Sequence, residues 1–259
     1  MDNILERYGI KEVADVTFYD ITDKGKMGAP VLFLDTLKVS TIEQTAEQAE
    51  ARGGKGNPPL VIWDYGKEIT VTLEDALFSA QSMAIMFGDD NGMSALGADE
   101  DTKIYKTIQF TVDTEKENNG IPTTYQLNGM KNPADIPTGA NYYEAGSTVP
   151  VEKTTLEGKN GTAGYVTFEV ANTTGSVIEI SANTFPGTYY VTGDTYARSE
   201  VTGKDEFFQF IIPKAKVQSE NTITLEAEGD PSVFNMSLRV MRPADGGAMM
   251  KLVKYSVGE

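Results

Sequence analysis

Apolar and polar residues alternate along most of this chain. Ile69, Val71 and Leu73 alternate with Glu68, Thr70 and Thr72, and Ile108, Phe110 and Val112 with Gln109 and Thr111. Ile223, Leu225 and Ala227 are interleaved with Thr222, Thr224 and Glu226 in the same way. Phe234, Met236, Leu238 and Val240 alternate with Asn235, Ser237 and Arg239. A period of two marks a half-buried strand with one face toward a core. Further strands are expected at 31–39, 60–65, 165–170, 177–181, 188–196 and 206–212. The last contains Phe207-Phe208-Gln209-Phe210-Ile211-Ile212, apolar on both faces, as a central strand or an interface strand would be. Gly229-Asp230-Pro231, Thr202-Gly203-Lys204 and Asn160-Gly161 supply turns between strands.

One segment breaks the period. Ser79 can cap a helix that carries Ala80, Met83, Ala84 and Phe87 on one face, and Gly88 can end it in the left-handed conformation. A Met-rich face at this spacing reads as core packing. The segment Thr41–Arg52 is rich in Glu, Gln and Ala, which favours helix by propensity. Its apolar residues are only Ile42 and scattered alanines, so as a helix it would bury little. Residues 89–160 open with Asp89-Asp90 and Asp99-Glu100-Asp101 and continue with scattered Pro, Gly and Tyr. They read as a loop-rich insertion with one or two short strands inside a single domain spanning 1–259. The expected fold is mainly β, an antiparallel sandwich or near-barrel with one flanking helix.

Composition then narrows the chemistry. The 259 residues include no Cys and no His. That excludes a disulfide framework, a thiol nucleophile, a Ser-His-Asp triad and an imidazole base, and it removes the favoured ligands of zinc. The net charge of −16, with no basic cluster, opposes sequence-independent binding to nucleic acid. No apolar run approaches the ~18 residues of a membrane span. The mixed, acidic start Met1-Asp2-Asn3-Ile4-Leu5-Glu6-Arg7-Tyr8 is unlike a signal peptide, so synthesis in a cytoplasm is expected.

Candidate sites fall one by one. Arg52-Gly53-Gly54-Lys55-Gly56-Asn57-Pro58-Pro59 is glycine-rich but lacks the Gly-Lys-Ser/Thr and the following helix of a phosphate loop. Asp89-Asp90-Asn91-Gly92 lacks the spacing and closing Glu of a calcium loop. Asp194, Asp205 and Glu206 could form a hydrolytic carboxylate pair, but 38 acidic residues produce such pairs by chance. Trp63 and the tyrosines at 142–143 and 189–190 could form a sugar platform, although aromatic residues in strands more often pack across strands. No catalytic, cofactor or metal site is expected, which describes a structural or binding protein rather than an enzyme.

Three blocks carry a resemblance. The first runs from Val39-Ser40-Thr41-Ile42-Glu43-Gln44-Thr45-Ala46-Glu47 to Ala51-Arg52-Gly53-Gly54-Lys55-Gly56-Asn57. The second runs from Trp63-Asp64-Tyr65-Gly66 through Val71-Thr72-Leu73 to Phe87-Gly88. The third joins Gly193-Asp194-Thr195-Tyr196, Gly203-Lys204-Asp205-Glu206, Ile212-Pro213-Lys214-Ala215-Lys216 and Glu226-Ala227-Glu228-Gly229-Asp230-Pro231. Together they resemble the tail tube proteins of long-tailed bacteriophages, a family related in fold to type VI secretion tube subunits.

The resemblance implies a virion protein, made in the host cytoplasm, whose copies form hexameric rings stacked into a hollow tube. Its partners would be itself, and sheath, baseplate and tail terminator proteins; DNA would pass the lumen without specific binding. It also implies that 41–52 is extended, against its helix propensity. The subunit or ring interface it points to comprises Ile42, Glu43, Thr45, Glu47, Arg52, Gly53, Gly54, Lys55 and Asn57. The rival readings are a head or head–tail joining protein, a carbohydrate- or ligand-binding β-sandwich, and a carboxylate-based hydrolase.

Overall fold

The computed structural model describes residues 7–22, 25–88, 94–95, 102–171, 173–220, 223 and 233–255. The acidic clusters at 89–90 and 99–101, the Asp89–Gly92 stretch, and the Glu226–Pro231 block lie outside them, as does the strand expected at 222–227 apart from Ile223. The chain divides into two compact units, Met1–Met93 with Ile178–Glu259, and Ser94–Val177.

In chain order, β1 (Tyr8–Ile10), β2 (Asp15–Ile21), β3 (Met27–Leu34), β4 (Leu37–Arg52) and β5 (Pro59–Asp75) lead to helix α1 (Ala80–Phe87). The second unit holds β6 (Ser94–Ala95), β7 (Tyr105–Thr111), β8 (Thr124–Tyr125), β9 (Ala134–Asp135), β10 (Asn141–Glu144), helix α2 (Lys153–Leu156), β11 (Ala163–Glu169) and β12 (Ser176–Val177). The chain then returns to the first unit with β13 (Thr188–Ser199), β14 (Asp205–Val217), β15 (Phe234–Val240) and β16 (Lys251–Tyr255).

The first unit is one antiparallel sheet in the order β3-β2-β13-β14-β15-β5-β4, with β1 added to β13 and β16 to β14. Strands β3 and β4 stand at opposite ends of this path, yet only Asp35 and Thr36 separate them in the chain. A link that short spans about 11 Å at most, so the sheet curls until its two ends approach. The result is an antiparallel sandwich that stops short of a closed barrel, as the alternation predicted. Its interior is a single cluster drawing Val16, Phe18, Leu34, Val71, Leu73, Val191, Phe210, Ile212 and Leu238 from six strands.

Asp75 fastens the open seam. Buried at the end of β5, its Oδ1 accepts from Thr36 Oγ1 at 2.5 Å and from the Leu77 backbone N–H at 3.2 Å. Elsewhere in the sheet, Gly193 of β13 lies beneath the Phe210 ring of β14. A methyl group there would come within 2.1 Å of the ring.

Among the described residues, the strands patterned at 68–73, 108–112 and 234–240 are found where alternation placed them, β15 spanning 234–240 and paired Leu73 to Met236 and Val71 to Leu238. Four details differ. The strand expected at 31–39 is two strands divided at the seam, and those at 60–65 and 68–73 are one, because Gly66 makes a bulge rather than a break. At 177–181 only Val177 lies in a strand. Helix α1 begins with Ser79 and Ser82 capping each other reciprocally and stops at left-handed Gly88, as expected. Its buried side is Ser82, Ala84, Ile85 and Met86 rather than a face built on Ala80 and Met83, because Ile85 and Met86 join the main core.

The second unit has its own sheet, β10-β11-β7, and its own core of Phe110, Val112, Ile121, Tyr125, Leu156, Val166, Phe168 and Val170. The described part of the loop-rich stretch 89–160 falls within it, and β11 adds the central strand just beyond.

Candidate functional site: an exposed hairpin arm

Strands β4 and β5 are 16 and 17 residues long, roughly three times the common strand length. Their inner ends belong to the curled sheet, where β15 pairs with β5 from Thr70 to Asp75. Beyond that point β4 and β5 pair only with each other among the described residues. The outer portion of β5, residues 59–67, therefore forms a two-stranded arm with β4 about 30 Å long at ~3.4 Å per residue.

The composition of β4 predicts a helix, and the resemblance predicts extended chain. Residues 41–52 are extended, paired along their length with β5. Propensity differences of a few tenths of a kcal/mol per residue lose to a ladder against Val61, Ile62, Trp63 and Tyr65, residue types that favour strands. At the junction the register slips between Thr45–Glu68 and Glu47–Tyr65, and Gly66 takes up φ +61°. A bulge of this kind bends and twists the ribbon.

The tip is closed by turn chemistry. Gly53 N–H donates to Pro58 O at 3.2 Å and Asn57 N–H to Gly54 O at 3.1 Å. Gly54, Gly56 and Asn57 all have positive φ, which Gly and Asn tolerate best. The glycine-rich loop thus joins two antiparallel strands and leads into no helix, so a phosphate cradle is absent by geometry as well as by motif.

Opposed residues of an antiparallel pair share a face. One face of the arm therefore carries Ala49 with Trp63, Ala51 with Val61, and Glu47 with Tyr65. The other carries Gln48 with Asp64, hydrogen-bonded at 2.9 Å, and Glu50 with Ile62. Leu60, Ile62, Trp63 and Tyr65 are each half or more exposed, at 65%, 50%, 55% and 53%. These large apolar side chains stand on both faces of a thin ribbon with no described core beneath them, and exposed apolar surface of this kind marks interaction sites.

The structure gathers all nine expected interface residues on this hairpin. Ile42, Glu43 and Thr45 lie at its root opposite Val71, Thr70 and Glu68; Glu47 sits beside the bulge; Arg52, Gly53, Gly54, Lys55 and Asn57 form the tip. The apolar run Leu60-Val61-Ile62-Trp63 is absent from that expected set. Its signal is present in the sequence, since a strand apolar on both faces has to be either central or an interface, and Pro-Pro and Gly bound this one.

The candidate carboxylates and three of the four candidate tyrosines are engaged in structural contacts, while Trp63 stays exposed on the arm. Asp205 makes a bidentate pair with Arg198 at 2.7 and 2.8 Å, and the hydrogen-bonded guanidinium holds its carboxyl below the ordinary range. A general acid needs the opposite shift. Asp194 accepts from Gln209 at 2.8 Å, and Glu206 pairs with Lys254 at 3.1 Å. Tyr189 packs edge-on against Phe18, Tyr190 against Tyr19 and Tyr142 against Phe110. Among the described residues no group of three or more acidic side chains is arranged to hold a metal ion, and no helix is long and apolar enough to cross a membrane.

The profile of the YomU/Tube protein family matches residues 8–254, both units and the arm included. The chain belongs to the YomU/Tube protein family. A tail tube protein of Bacillus phage SPR is 31% identical to this family member over 80 residues. The matched stretch is 31% of this chain and spans only 28% of the phage protein's length.

Proposed function

We propose that this YomU/Tube family member is a structural subunit of a phage tail tube, with no catalytic role. Copies form hexameric rings, and the rings stack into a hollow tube in the virion after synthesis in the host cytoplasm. The observation that carries this reading is the arm, a two-stranded ribbon whose β5 strand is apolar and which no described part of its own chain covers. A neighbouring copy supplies the missing surface, and Lys55 at the tip suits a partner whose net charge is −16. Repetition of one contact by rotation closes a ring, and repetition along the axis extends a tube. The lumen is acidic, so phosphates and carboxylates repel and DNA passes without being bound. Sheath, baseplate and tail terminator proteins meet the assembled tube.

Negative-stain microscopy of concentrated purified protein tests the reading. Rings or tubes with a central hole are expected. A protein that stays monomeric at all concentrations and binds glycans overturns it. For the lumen, reversing the charge of the carboxylates that a tube reconstruction places inside should slow DNA ejection, and unchanged ejection kinetics refute repulsion.

A further inference from the structure

Strand β14 has β13 along one side, but its other side is shared by two strands from the end of the chain. β15 pairs with it at 215–217 and β16 at 207–211. The two are collinear. Continued in its own register, β15 would bring residue 244 opposite Ile211; instead Lys251 arrives there, seven residues later. The excess forms the excursion 241–248, which contains Pro243, Gly246 and Gly247 and is folded by local bonds from Gly246 N–H to Pro243 O and from Gly247 N–H to Asp245 Oδ1. A direct strand would have covered the same edge with a shorter chain.

Beyond the excursion the chain is lightly held. Met249 and Met250 rest against the main core, and methionines repack readily. No residue of β16 is fully buried, and Leu252 is 60% exposed. Its attachments include the backbone ladder, a stack of Tyr255 on Phe207 at 5.3 Å, and Lys254 set between Glu206 at 3.1 Å and Tyr8 Oη at 2.7 Å. A strand with few buried contacts opens at low cost. Opening leaves a bare ladder edge at 207–211 beside Phe207, which has to be paired again.

We propose that Met249–Tyr255 is an exchange strand, donated in the assembled state to the β14 edge of a second copy. Every contact β16 makes at home is available at the neighbour, down to the neighbour's Glu206, Tyr8 and Phe207. Exchange therefore changes little in contact energy and ties subunits together through the 241–248 hinge. The inference rests on the tail-tube reading for the identity of the assembly, and its test separates the two.

The chain has no cysteine, so a designed pair reports cleanly. Gln209 and Val253 are register partners in β14 and β16. The Gln209→Cys/Val253→Cys variant is assembled in reducing buffer and imaged. It is then bridged with a short bis-maleimide and separated on a denaturing gel, with each single variant as control. Tubes whose bridged protein runs as a ladder of dimers and higher species are the expected result. Tubes that yield only bridged monomer overturn exchange and leave the tail-tube reading standing. Covalent dimers from concentrated protein that forms no tubes support exchange and count against the tube. Monomers alone, without tubes, overturn both. A second measurement guards against misfolding: the variant bridged as a monomer should fail to assemble while its unbridged form, with the same far-UV spectrum, assembles. Assembly of the bridged monomer overturns the proposal.

Discussion

The first unit contains two long hairpins, and the chain treats their outer halves in opposite ways. In the hairpin of β13 and β14 both edges are covered, β1 lying on residues 197–199 and β16 on 207–211. Its strands are fastened across by the Arg198–Asp205 pair. In the hairpin of β4 and β5 the outer half has no third strand on either edge among the described residues, and its side chains from 59 to 68 are all exposed. A bare edge is a liability that proteins ordinarily blunt. One hairpin of the pair is covered by β1 and β16 and its counterpart carries Leu60, Val61, Ile62 and Trp63 in the open, so the bare one is where the tail-tube proposal places a neighbouring copy.

The sharpest way to break this comparison uses two apolar residues of one strand. Leu73 lies fully buried at the root of β5, against the same core as Phe18 and Leu238. Leu73→Ala removes buried volume and leaves a cavity, so the isolated chain should lose about 2–5 kcal/mol in urea unfolding. A loss below about 1 kcal/mol would show that the root is not core. Trp63, ten residues earlier, should behave differently. Trp63→Ala leaves the stability of the monomer within about 0.5 kcal/mol, as expected of an exposed site. The protein concentration needed for rings or tubes should rise roughly tenfold or more, as for a central aromatic at an interface. Unchanged assembly, followed by light scattering, would remove the arm from the joint.

These two residues also show what the sequence can disclose. Leu73 is legible because Ile69, Val71 and Leu73 alternate with polar neighbours, and alternation records a sheet with one face in water. The same rule locates β15 and β7, and Ser79 and Gly88 bound α1. Trp63 is harder to place because its strand borders nothing beyond β4 within the described chain, and periodicity describes burial in the chain's own core. Its partner strand is harder still. Thr41 to Arg52 reads as helix by local preference, and only pairing with β5 decides otherwise; the resemblance supplies what propensity cannot. Gly66 is ambiguous locally because a glycine at left-handed φ serves equally a turn or a bulge. The seam at Asp35-Thr36 is invisible locally, since it depends on a sheet curling until its ends approach.

The smallest expected effect concerns how each hairpin is closed. Arg198 and Asp205 face each other across β13 and β14, whereas Arg52 at the end of the arm pairs with Glu50 of its own strand at 2.5 Å and ties nothing across. Hydrogen bonds from Arg198 hold the pKa of Asp205 lower in the folded chain than in the unfolded one. A carboxyl shifted this way contributes stability that is present above its unfolded value, about 3.9, and lost as pH falls through the lower folded value. Arg198→Gln should therefore lower the melting temperature slightly at pH 7. The gap from the parent protein should narrow as pH drops below about 4, because the parent then loses the same interaction. Exposure to solvent and screening keep the effect small. A gap that widens in acid would show that the pair is not what closes the covered hairpin. The contrast with the arm would then rest on β1 and β16 alone.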